Sequence, residues 1–272
     1  MKEYFPQDIS ARMPDGTVVP MMQNDFEDGC LRFAEESEIL FHLGGLPRNG
    51  VNQILNSTDY FRANGTRYWV MDYIDGISIY SMIRLHSCGI PWKNALYLAG
   101  ELCDVLEELH TGYDLFHLDI GPDHVMITKD FHAVLTGFGN LSKLGERRDS
   151  RTIYDCWEPP FTMPPEQGVS HMAKGAYSDV YSLAAVVFYL MTGRTIPRFT
   201  ERLREQNSVV SLQEIKPEIP QRVSDALIHA LEFKVPQRTQ SMKQFKEELG
   251  VEWFLAEQET SPQYTIMNWD GS

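Results

Sequence analysis

Apolar positions recur at helical spacing from Phe26 onward. Phe26, Cys30, Phe33, Ser37, Leu40 and Phe41 form the stripe, acids lie between them, and Gly44-Gly45 ends it. This pattern predicts an amphipathic helix over about residues 25–43. Upstream, Pro6, Pro14, Gly16 and Pro20 interrupt any period, so residues 2–26 are expected to be irregular, with one short strand at the start. Downstream, Asn52–Arg62 and Thr66–Tyr73 read as strands flanking Ala63-Asn64-Gly65, and Asn-Gly is a hairpin turn pair. Asp75-Gly76 makes a break. Beyond it the helical period dominates. Pro91 opens a long helix with Ala95, Leu96, Ala99, Leu102, Leu106 and Leu109 on one face, and Gly112 closes it. Val125–Thr128 and Ala133–Thr136 are short strands around Lys129-Asp130. Ser178 or Asp179 is expected to cap a helix over Val180–Thr192, ended by Gly193. That helix is apolar nearly all round, which predicts burial. Helices near Ser224–Phe233 and Ser241–Leu249 complete the series, followed by a tail, Val251–Ser272, that carries Trp253, Phe254, Tyr264 and Trp269.

The elements imply a two-lobed α+β chain: a hairpin-plus-helix part over 1–74, a helical part over 75–250 and a tail over 251–272. Ligand clefts favour such junctions. Composition adds exclusions. The net charge of −14 repels nucleic acid and anionic lipid, so neither is expected as a general partner. No apolar run approaches the ~18 residues of a membrane span. The opening MKEYFPQDIS lacks a secretory apolar core, so a cytoplasmic location is expected. Cys30, Cys88, Cys103 and Cys156 are far apart, which suits reduced thiols. His110, His117, His124 and His132 lack metal-ligand spacing, and no metal site is expected.

Candidate chemistry concentrates between Phe116 and Asn140. His117-Leu118-Asp119 and, further on, Gly137-Phe138-Gly139 have the layout of the H-R-D and D-F-G triplets of a kinase site. The chain resembles a bacterial Ser/Thr protein kinase over roughly Lys2 to Gly250, with motifs in family order. Lys2 resembles the nucleotide-binding Lys, and Glu36, followed by Leu40, the Glu of the regulatory helix. Val70-Met71-Asp72-Tyr73 resembles the hinge, with Met71 as gatekeeper. Pro164-Pro165-Glu166-Gln167 resembles the end of the activation segment, Asp179 the start of the central helix, and Arg238 the partner of Glu166. One triplet alone means little; the ordered set is specific. The resemblance implies a protein kinase-like fold, with His117, Phe138 and Leu40 in the hydrophobic spine.

It also marks departures. Phosphoryl transfer depends on positioning and charge stabilisation by a Gly-rich loop, a Lys, metal-holding Asp and Asn, and a catalytic Asp. Here Gly137 replaces the D-F-G Asp, His124 the Asn, and Gly121 the Lys two residues after Asp119. Pro159 falls where the substrate-loop Thr belongs, and Phe161 replaces a Gly. A Gly-rich loop is not expected, since the strands that carry it would precede Met1. The expectation is therefore a pseudokinase with a reduced N-lobe, in which Asp119 and His117 are vestigial. It is expected to bind a protein partner and to hold no cofactor, with ATP or ADP at most weak and Mg²⁺ disfavoured. The alternatives are a Mg-independent nucleotide sensor using Lys2 and the hinge, and an unconventional or residual Ser/Thr kinase using Asp119, His117 or His124. The strand near Thr66–Tyr73, with only residues 1–5 beside it, is expected to expose an edge. Cover by Pro6–Pro20, by the tail or by a second copy would follow, the last giving a homodimer.

Overall fold

The computed structural model describes residues 1–44, 54–85, 88–140, 142–143, 160–169, 172–205 and 209–258. Three short strands, β1 (Lys2–Glu3), β2 (Ser10–Arg12) and β3 (Val18–Pro20), precede helix α1 (Gln23–Gly44). Strands β4 (Ser57–Ala63) and β5 (Thr66–Met71) make the expected hairpin. Asn64 and Gly65 sit at φ 48° and 74°, the doubly left-handed turn that matches strand twist. β1 lies on the other edge of β5, Lys2 opposite Trp69, and Tyr4 N–H continues the ladder to Arg67 O (2.9 Å). Helix α1 covers this sheet, with the Phe33 ring edge-on to Trp69 at 6.0 Å. Phe41 does not join the buried face. It is 59% exposed, because Leu43 takes the inward position three residues after Leu40.

The opening is less irregular than its prolines suggest. Asp15 Oδ1 accepts Thr17 N–H (2.9 Å), Gly16 turns at φ 89°, and β2 pairs with β3. Pro14 lies in the turn and Pro20 ends a strand, where no central ladder bond is lost. This hairpin bonds the β4–β5 turn through Val18 N–H to Asn64 O (2.8 Å). It also buries Val18 with Phe26 and Cys30 of α1.

After β5 come β6 (Gly76–Ser78), α2 (Ile79–Leu85), α3 (Trp92–Gly112), β7 (Leu115–Phe116), β8 (Val125–Thr128), β9 (Ala133–Leu135) and β10 (Ser142–Lys143). Gly76 is the start of a strand and not only a break. β6 pairs with β8, and a Cβ at Gly76 would lie 2.2 Å from Ile127 O, so glycine alone permits the approach.

The helical part comprises α3 with α4 (Ala176–Thr192), α5 (Phe199–Glu205), α6 (Leu212–Ile215), α7 (Gln221–Ala230), α8 (Met242–Leu249) and α9 (Val251–Gln258). Fifteen successive residues of α4, from Ser178 to Thr192, are buried, as its uniform apolarity predicts. Its start differs from expectation: Gly175 is the N-cap, and Ser178 and Asp179 lie inside the helix, where the Ser178 hydroxyl accepts Gly175 N–H (3.4 Å). Helix α7 likewise begins before Ser224, whose hydroxyl accepts Leu212 N–H (3.1 Å). Ser241 caps α8, accepting Gln244 N–H (3.1 Å). In α9, Val251 is buried and Trp253 is 61% exposed; Tyr264 and Trp269 of the tail lie outside the described residues. Among the described residues no helix is long and apolar enough to cross a membrane.

Candidate functional site

The site is organised from below by Asp179, whose carboxylate is wholly buried in α4. It accepts His117 N–H (2.8 Å), Leu118 N–H (2.7 Å) and His110 Nε2–H (2.8 Å). A buried carboxylate needs such donors to offset lost hydration. The bonds hold Leu118 at φ 58°, a left-handed conformation that costs a β-carbon residue about 1–2 kcal/mol. Gln167 Nε2–H donates to Leu118 O (2.6 Å) and ties the loop to the segment before α4. Neither the histidine spacing nor the Pro164–Gln167 motif gives His110 or Gln167 this role. The signal for His110 was its place on the buried stripe ending α3.

His117 is enclosed. Its Nε2–H donates to Thr136 O (2.9 Å), its Nδ1 accepts Asp119 N–H (3.2 Å), and its ring packs on Phe138 at 4.8 Å. Burial holds the imidazole below its ordinary pKa, so it stays neutral and structural. Phe138 and Leu40 are buried in the same core cluster, with His117 against the Phe138 ring.

The cleft lies above. Lys2 Nζ reaches both Glu36 oxygens at 3.5 Å and lies 5.0 Å from the Trp69 ring. The β1 ladder fixes the Lys2 backbone, while its side chain is 47% exposed. Burial pushes the Glu36 carboxyl above its ordinary pKa despite the opposing Lys2. A cavity of about 500 Å³ is lined by Lys2, Glu36, Met71, Asp72, Tyr73, His124 and Gly137, together with Leu55, Trp69, Ile74, Met126 and Thr136. Tyr73 stands at its rim, 89% exposed. Asp72 Oδ2 accepts Asn56 Nδ2–H (3.1 Å).

The inner wall carries the departures. His124 Nδ1–H donates to Asp119 O (2.7 Å) and lies 3.5 Å from Asp119 Oδ2. Gly137 adopts φ 80°, and a Cβ there would stand 2.4 Å from His124 Cγ and 2.6 Å from Cδ2. The imidazole thus occupies the space that a side chain at 137 would need. Gly121 differs: the nearest atom to its hypothetical Cβ is Thr162 Oγ1 at 3.8 Å, so a longer residue would fit. Among the described residues no group of three or more His, Cys, Asp or Glu side chains could hold a metal ion.

Away from the cleft, Glu166 and Arg238 form a bidentate pair at 2.6 and 3.1 Å, both side chains fully buried. Ser178 Oγ–H adds a bond to Glu166 Oε1 (2.8 Å). Phe161 packs on Tyr189 at 5.5 Å. Pro159 lies outside the described residues.

Comparison with known proteins places this geometry. A family model for the protein kinase domain matches residues 25–251. The chain is 25% identical over 203 residues to human serine/threonine-protein kinase MRCK alpha, covering 73% of this chain and 11% of that protein. It is 23% identical over 220 residues to the probable serine/threonine-protein kinase PknB of Lactococcus lactis, covering 78% of this chain and 34% of the relative. The chain therefore spans about a third or less of these relatives' lengths. Among solved structures, PpkA-294 in its apo form superposes with a TM-score of 0.75 at 23% identity, covering 91% of this chain and 85% of that one. The PknI kinase domain of Mycobacterium tuberculosis gives 0.61 at 22%, covering 84% and 79%. At these identities the structural likeness speaks for the fold. The match of the family model over most of the chain speaks for descent: this chain belongs to the protein kinase domain family, with bacterial Ser/Thr kinases among its relatives.

Proposed function

We propose that this chain is a catalytically inactive kinase-like domain that acts as a protein-binding scaffold or regulator. One observation carries the reading: the His124 ring fills the space over Gly137, so both positions expected to grip magnesium offer no oxygen. Mg²⁺ demands hard oxygen ligands in near-octahedral geometry, and imidazole is a poor substitute. Gly121 also leaves the position beside Asp119 without a cation. Each lost charge stabiliser typically costs ~10²–10³ in rate, and such losses do not simply add. Buried hydrogen bonds gather around Asp179 and join Glu166 to Arg238. A retained architecture around a site without metal ligands fits a domain kept for its surface. A protein partner is the expected ligand of that surface; because β5 is the central strand of the order β1-β5-β4, self-association by strand addition would use the outer edge of β1 and not the edge expected at Thr66–Tyr73. The net charge of −14 disfavours nucleic acid and anionic membranes.

The test is incubation with labelled ATP, Mg²⁺ or Mn²⁺, and generic protein substrates. No incorporation above that of Asp119→Ala is expected. Incorporation that vanishes in Asp119→Ala would restore the residual-kinase reading. The cavity and the Lys2–Glu36 pair support a second reading, a Mg-independent small-ligand sensor. A thermal-shift titration with nucleotide, with and without Mg²⁺, separates it from a scaffold with an empty cleft. A transferase based on His117 is disfavoured because both ring nitrogens are committed to the backbone.

A further inference from the structure

We infer that the outer face of the β2–β3 hairpin docks a cationic amphipathic helix of a partner protein. The inference rests on the protein-binding reading and names the chemistry of that partner. Ala11 and Val19 stand opposite each other in the hairpin, one step along from the Arg12–Val18 pair. Successive residues of a strand face opposite ways, so Ala11 and Val19 point away from buried Val18 and from the Phe26 and Cys30 that pack with it. Ala11 is exposed, and Met13, Met21 and Met22 flank the pair along the chain. Val19 and the three methionines are 43–61% exposed. Exposed apolar patches mark contact surfaces, and methionine adapts to partners of varied shape. The face is also held in place before a partner arrives. Ile9 O accepts Met21 N–H (2.8 Å) and Met22 N–H (3.3 Å), Met13 N–H donates to Thr17 O (2.8 Å), and Val18 N–H reaches the β4–β5 turn. Little backbone ordering is left to oppose binding.

Charge selects the occupant. Residues 6–28 carry five carboxylates, Asp8, Asp15, Asp25, Glu27 and Asp28, and one cation, Arg12. Asp8 precedes β2, Asp15 lies in its turn, and the other three open α1 directly after Met22. All five acids are exposed and, among the described residues, none is ion-paired. Arg12 is spent on Glu3 and on the Phe5 ring at 4.5 Å. The charges of Arg32, Arg62 and Arg67 act on Tyr4 and Cys30, which pack on the Val18 side. An apolar face fringed by carboxylates favours a partner with lysine or arginine beside its apolar residues, and steers its approach. A second copy on this face would bring the same carboxylates together, and an anionic membrane would meet them too. A helix with one apolar and one basic face satisfies both features at once.

The experiment is fluorescence-anisotropy titration of the whole chain with a labelled designed helix, leucine on one face and lysine on the other. The controls are the same peptide with glutamate for lysine, and the same composition in scrambled order. The leucine–lysine helix is expected to bind at least about tenfold more tightly than either control, and more weakly as salt screens the carboxylates. Val19→Thr with Met21→Gln keeps the charge and the parent melting profile, and should weaken binding by about tenfold. In the parent chain the methyl NMR signals of Met13, Met21 and Met22 should shift on peptide addition, while those of Met71 and Met126 in the cleft stay. Absent binding, equal binding of either control, affinity untouched in the double variant, or methyl shifts confined to the cleft each overturns the inference. So does a dimer by light scattering, or binding to neutral or anionic lipid vesicles, that the double variant abolishes. These outcomes sink this inference alone. Phosphate transfer lost in Asp119→Ala sinks the inactive-scaffold reading instead, and the titration, run without ATP, keeps the two failures apart.

Discussion

At the residue scale, His124 and Gly137 are one feature seen from two sides. Read along the chain, each departs from the residue expected at a metal-binding position of the kinase motifs. In space, the imidazole needs the glycine, because any Cβ at 137 meets the ring at 2.4 Å, and the glycine alone accepts φ 80° comfortably. Gly137→Asp is therefore expected to destabilise the fold by about 1–3 kcal/mol through overpacking and to yield no phosphotransfer. Gly137→Asp with His124→Asn should recover most of that loss in urea denaturation. Equal loss in the single and double variants would mean that the contact does not matter. Glu36 gives a second test. Its carboxyl is raised above 4.5 in the fold, so the folded state holds the proton more tightly than the unfolded chain. The stability this contributes is present at low pH and is lost as pH rises from 4.5 through the folded value. Glu36→Gln should flatten that segment of the stability–pH profile, read from urea midpoints, and a profile unchanged from the parent would contradict the burial effect. The sequence names all three residues. The burial of Glu36 comes from α1 meeting the turn at Phe138–Asn140, which no local pattern records.

At the element scale, the informative contact is between β1 and α1. Residues i and i+2 of a strand share a face, and Lys2 and Tyr4 use that face to hold separate turns of α1. Lys2 takes Glu36, while the Tyr4 ring lies 5.3 Å from Phe26 and 5.6 Å from Phe33. Gly29 makes the notch: a Cβ there would fall 1.7 Å from the Tyr4 hydroxyl oxygen. Gly29→Ala is expected to cost about 1–3 kcal/mol. The cost should shrink in a Tyr4→Leu background, with a coupling energy of about 0.5–3 kcal/mol in a double-mutant cycle. Strict additivity would count against the clamp. Elements with a local cause were legible. Asn64-Gly65 announced its hairpin, and the stripes of α1 and α3 announced their helices. β6 and the β2–β3 hairpin were missed, because Gly76 and Pro20 usually weaken strands and only their partners make them useful here. The α4 cap lies earlier than expected because Ser178, a good cap in isolation, sits at N3, accepting Gly175 N–H and donating to Glu166, while Asp179 serves the loop at 117–118.

At the scale of the whole molecule, two buried acids hold distant segments together. Glu166 meets Arg238 across 72 residues, and Asp179 meets the 117–118 loop across 62 and 61. Glu166→Ala leaves the Arg238 guanidinium buried without its carboxylate, and a loss of about 3–5 kcal/mol is expected. Glu166→Ala with Arg238→Met should lose less, and chemical denaturation of the three variants checks the order. The sequence by itself determined the family, the helices with a clear apolar period, the Asn-Gly hairpin and the identities of Lys2, Glu36, Asp119, His124 and Gly137. These follow from local propensity, from periodicity and from the order of motifs, all of which are written along one chain. Only the tertiary structure decided that Lys2 is held against Glu36, that His117 is spent on backbone bonds, and that the His124 ring fills the space a side chain at 137 would need. Those outcomes depend on which buried surfaces meet and at what distance. Close packing and desolvation set them between segments remote in the chain.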